Sequence, residues 1–65
     1  MTNQETATNF VNNLNTAMGE YVKVDCFDFL DMIKGILKEK GVKHSDRMEI
    51  LDLVFQEMKE QDRFL

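Results

Sequence analysis

Apolar residues along this 65-residue chain recur in three blocks, each with the three- and four-residue steps of one helix face. In the first block Ala7, Phe10, Val11, Leu14, Ala17 and Met18 share a side, which predicts a helix over about 5–18. Thr2, Asn3 or Thr6 can cap its start, and Gly19 suits its end because glycine readily takes the left-handed conformation that closes helices. Residues 1 to 5 are open to disorder.

The second block predicts a helix over about 26–40, with Cys26, Phe29, Leu30, Ile33, Ile36 and Leu37 on one side, Met32 at its edge and Phe27 opposite. Asp25 is the expected N-cap. Asp28 and Asp31 oppose the positive end of the helix dipole, Lys34, Lys38 and Lys40 lie toward its negative end, and Gly41 terminates it. After the short connection GVKHS, Ser45 is the expected cap of a third helix over about 46–63. Met48, Leu51, Val54, Phe55 and Met58 would line its core side, Ile50 the margin, and Leu53 with Phe64 a second, narrower apolar strip.

Between the first two helices, Tyr21, Val22, Lys23 and Val24 alternate as a strand does. This segment is either a linker or a strand. A strand at 21–24 has no partner in its own chain and would need one from a second copy, because its backbone groups must be paired. The expected architecture is therefore an all-α, small three-helix domain, 1–65, with that one segment as the place where a dimer would show itself.

Size sharpens the expectation of a partner. A chain this short buries only about 60% of its unfolded surface, so stability is marginal without help. One cysteine excludes an internal disulfide, and Cys26 with the single His44 is too few for a thiolate and imidazole zinc site. No cofactor or metal is expected. Apolar content of 43% argues for a folded domain, no apolar run spans a bilayer, and the N-terminus lacks the positive region and apolar core of a secretory signal, which together point to a cytoplasmic protein.

Net charge of −4 works against nonspecific attraction to nucleic acid or anionic lipid. Three clusters hold side chains that could carry chemistry. Asp28 and Asp31 could face the same way and hold a hard cation, but Phe27, Phe29 and Leu30 interrupt the alternation that a calcium loop needs. Cys26 near a helix start, with His44 as base, would be a nucleophile only if a third group oriented them, and Cys26 falls on an apolar face. Lys40, Lys43, His44 and Arg47 form a basic corner that could meet phosphate, offset by Asp46 and Glu49. No nucleophile, base and oxyanion set rises above chance, so the chain is not expected to be an enzyme.

What remains is excess apolar surface. Phe27, Leu53, Phe55, Met58 and Phe64 are the candidate partner-binding side chains of a helical adaptor, inhibitor or regulator, expected to be a homodimer or to bind another protein.

From Glu20 onward, the order of strand, helix, glycine-containing turn and helix also resembles the ribbon-helix-helix family, whose two chains pair their strands and place the ribbon in the major groove. The resemblance covers about residues 20 to 60 and implies a DNA-binding regulator. It implies that Val22 and Val24 face the core, that Tyr21 and Lys23 face DNA, and that the start of the last helix near Lys43, His44 and Ser45 meets phosphate.

Overall fold

A computed structural model describes residues 2–19 and 23–61 and contains three helices, α1 (Asn3–Met18), α2 (Cys26–Glu39) and α3 (His44–Glu60). The fold is the small all-α one that the periodicity predicts. Among the described residues there is no strand. Val24 makes only an isolated bridge, and Tyr21 and Val22, half of the segment in question, lie outside the described residues.

Helix boundaries follow from side-chain chemistry. Thr2 caps α1, its hydroxyl accepting from the Glu5 amide at 3.1 Å and donating to the Glu5 carboxylate at 3.2 Å. The spacing in TNQE is that of a capping box, and the chain is helical from Asn3. Asp25 caps α2 as expected, accepting from the amides of Phe27 at 3.0 Å and Asp28 at 3.1 Å. At the other end of α2, Gly41 takes a φ of 74°, the Val42 amide donates to Leu37 and the Gly41 amide to Lys38. This is a Schellman closure, and Val42 completes it by packing on the core.

The third boundary departs from expectation. Ser45 is not the cap: α3 begins at His44, two residues before the expected start, with Lys43 in the cap position and no side-chain bond to its first amides. In its place Arg47 reaches back from the first turn and donates to the Val42 carbonyl at 2.7 Å, which ties the connection down from inside the helix. The helix ends at Glu60 with Gln61 as its C-cap, short of the expected 63, a position that lies outside the described residues.

Packing centres on α3. It lies against both α1 and α2, whose backbones seldom come close to one another. Ala7, Val11 and Leu14 of α1, Phe29, Ile33 and Leu37 of α2, and Ile50, Val54 and Met58 of α3 form one buried cluster with Val24. The core side of α3 is therefore rotated from the predicted one. Ile50, expected at the margin, is buried, whereas Met48, expected inside, is 52% exposed. Leu53, expected on a separate strip, packs against the core. A helix with neighbours on two sides buries a broad arc, and the position of that arc depends on where the neighbours dock, which periodicity alone does not encode.

Polar contacts lock α1 to both ends of α3. Asn3 donates its amide to Asp46 at 3.2 Å in the first turn of α3, and Thr8 and Gln4 both donate to one oxygen of Glu57 in its last turn, at 2.8 and 3.2 Å.

Candidate interaction surface

With α1 and α2 both seated on α3 and their backbones seldom close to one another, a seam is left between them, and it opens into a cleft at each end. One cleft, about 470 Å³, lies where the start of α1 faces the end of α2, lined by Thr6, Phe10, Leu37, Lys40 and Lys43 among others. The other, about 270 Å³, lies where the end of α1 faces the start of α2. Leu14, Val24 and Phe29 line it together with Met18 and Met32, which are 48% and 52% exposed, and Lys23, Asp25 and Asp28 supply its polar lining. Two flexible thioethers beside an open apolar cleft are surface that can repack around a guest. The sequence put Met18 on the apolar face of α1 and Met32 at the edge of that of α2, but only the gap between the helices makes them a pair.

Among the described residues Phe27 is the most exposed large apolar side chain, at 77%. It directly follows the cap and first residue of α2, so Asp25 fixes the backbone that carries it: the Asp25 carboxylate accepts the Phe27 amide itself. Helical phase turns the ring away from the buried Cys26, Phe29, Ile33 and Leu37, as the sequence requires.

The other candidate anchors separate. Phe55 is half-buried, and Leu53 is half-buried and packed on the core. Met58 is 0% exposed, so it is core and offers nothing to a partner; its position on the same stripe as Val54 is what buries it. Phe64 lies outside the described residues.

Of the residues that the ribbon-helix-helix resemblance would use, Lys23, Lys43, His44 and Ser45 are exposed, Val24 is buried, and Tyr21 lies outside the described residues. The basic corner is partly committed. Arg47 holds the Val42 carbonyl and its second guanidinium nitrogen stands 3.5 Å from His44 Nδ1, while Asp46 holds Asn3.

Cys26 is buried in the first turn of α2, and His44 is exposed at the start of α3 beside Arg47. Asp28 and Asp31 are both exposed, and among the described residues no group of three or more potential metal ligands converges. No helix of the described residues is long and apolar enough to cross a membrane.

Neither a protein-family model, nor a curated protein, nor a solved structure matches this chain.

Proposed function

We propose that this protein is a small acidic interaction module of the cytoplasm, an adaptor, inhibitor or regulator that acts by binding and not by catalysis. It presents apolar side chains from a three-helix frame to a second copy of itself or to another protein. The observation that carries the reading is Phe27. A phenyl ring 77% exposed on a well-capped helix gains nothing from burial in the isolated chain, whereas burial of such a ring in an interface is worth a large share of a binding free energy. Met18 and Met32 beside their cleft add adaptable surface of the kind that takes an amphipathic helix.

The test is an affinity comparison. Proteins retained by the immobilised chain are identified, purified and titrated against wild type, Phe27→Ala and Met32→Ala, alongside measurement of self-association. A purified partner, or the chain itself, that binds wild type and loses at least tenfold in affinity with Phe27→Ala supports the reading. Absence of any partner, self included, whose binding depends on either residue sinks it.

A second reading, a two-chain DNA-binding regulator, is favoured by one observation. Val24 is buried and Lys23 exposed, the alternation a paired ribbon needs, and the first amides of α3 have no side-chain cap to compete with phosphate. Low-salt titration with mixed-sequence duplex DNA decides it. Binding that Lys23→Ala abolishes would support this reading, and no binding by wild type would remove it.

A further inference from the structure

We propose that the partner met by Phe27 is the α2 helix of a second copy, paired antiparallel across a two-fold axis that passes between Met32 and Ile33. The inference rests on the interaction reading above and names its occupant. Taking about 100° per residue, Phe27, Asp31, Lys34 and Lys38 fall within about 60° of arc on α2, and the centre of that arc is roughly 125° from the buried face. All four are exposed.

The order along this stripe is self-complementary. Its N-terminal half carries Phe27 and Asp31, and its C-terminal half carries Lys34 and Lys38. An antiparallel pairing about the stated axis sets Asp31 against Lys34 of the second copy, twice by symmetry, and lays Phe27 along the methylenes and under the ammonium of the second copy's Lys38. A parallel pairing of the same stripe would set Asp31 against Asp31 and Lys34 against Lys34, so charge selects the antiparallel arrangement.

Gly35 supplies the independent support. Glycine weakens a helix interior, yet a Cβ at this position would meet nothing within 4 Å, so no contact inside the chain calls for a glycine there. In the antiparallel pair the two-fold axis keeps Gly35 of both copies on the same flank of the stripe, where two missing side chains let the backbones approach. A single helix pair is a small interface, so the dimer belongs to the weak, reversible class.

Sedimentation equilibrium on the full chain, from micromolar to millimolar concentration, tests the proposal. Expected are a reversible dimer for wild type and at least a tenfold rise in dissociation constant for each of Phe27→Ala, Asp31→Lys and Lys34→Asp. Because the substituted side chains are exposed, circular dichroism should match wild type. The decisive arm mixes Asp31→Lys with Lys34→Asp. The first chain then presents two lysines and the second two aspartates, and a one-to-one heterodimer should form where each variant alone is monomeric.

A wild type that is monomeric throughout overturns the proposal, and so does a dimer that Phe27→Ala and Asp31→Lys leave unchanged. These failures are separable from failure of the interaction reading. A dimer indifferent to the α2 changes moves self-association to another face, and a monomer that still binds a purified partner through Phe27 keeps the module and removes only the second copy.

Discussion

The hydroxyl of Thr8 donates to a carboxylate oxygen of Glu57 at 2.8 Å, a bond that closes across 49 positions of sequence and joins α1 to the last turn of α3. Gln4 donates to the same oxygen at 3.2 Å and to the Thr8 hydroxyl at 3.3 Å, so the three side chains form a closed triangle at the interface. Removing the shared acceptor with Glu57→Ala should cost about 1–2 kcal/mol, since two bonds go but their donors can turn to water. Glu57→Gln should cost less, and Thr8→Val should cost about 1 kcal/mol. Urea denaturation followed by circular dichroism gives all three values. No loss in Glu57→Ala would mean that α1 is held by its apolar face alone.

The caps of α2 and α3 make a paired prediction. Asp25→Ala removes an acceptor of two amides and should destabilise by about 1 kcal/mol, with Asp25→Asn recovering most of it. Ser45→Ala should be near neutral, because Ser45 lies inside α3 and caps nothing. Lys43→Asp, which places an acceptor at the true cap and a negative charge at the positive end of the dipole, should raise stability by about 0.5–1 kcal/mol. Midpoints of thermal unfolding would order these variants, and a large loss from Ser45→Ala would show that the cap has been misplaced.

Two methionines of α3 should behave oppositely. Met58 is 0% exposed and packed in the core, so Met58→Ala should cost about 2–5 kcal/mol, enough to leave a chain of this size largely unfolded. Met48→Ala, at 52% exposure, should fall within about 0.5 kcal/mol of wild type. Far-ultraviolet circular dichroism at room temperature separates the outcomes directly.

The glycines divide as well. Gly35→Ala has open space for its methyl and an ordinary helical backbone, so the substitution should stabilise the monomer by about 0.5–1 kcal/mol. Gly41→Ala, with φ at 74°, should destabilise by about 1 kcal/mol although its Cβ also meets nothing, because the cost is in the backbone. Chemical denaturation of dilute protein would give both signs.

How legible all this was in the sequence depended on how local each cause is. The bounds of α2 could be read closely because Asp25 and Gly41 write them in their own side chains, or in the lack of one. Thr2 was one of three candidate caps, and the glutamate three positions later was the signal that singles it out. The start of α3 was misread because a serine suggests a cap, while the actual device, Arg47 reaching back to a carbonyl, depends on how the connection folds. Met48 and Ile50 exchanged places for a related reason: both are apolar, and only the docking of α1 and α2 decides which turns inward. Phe27 was legible as an outward residue from helical phase alone. Phase offers Met58 as an anchor because it cannot tell a core stripe from an interface stripe, and the cleft flanked by Met18 and Met32 exists only through the spacing of two helices over a third.

That shared dependence on α3 also governs how the chain can acquire its structure. Since the backbones of α1 and α2 seldom come close to one another, a nascent chain that has emerged only as far as the second helix holds two amphipathic segments with little to bury them against. The third helix is the one on which the first two assemble. Folding should therefore await the third helix and proceed as one cooperative event, with no stable two-helix intermediate along the way. A ribosome-bound segment stopped before His44 should look unstructured, and adding α3 in trans should order all three at once.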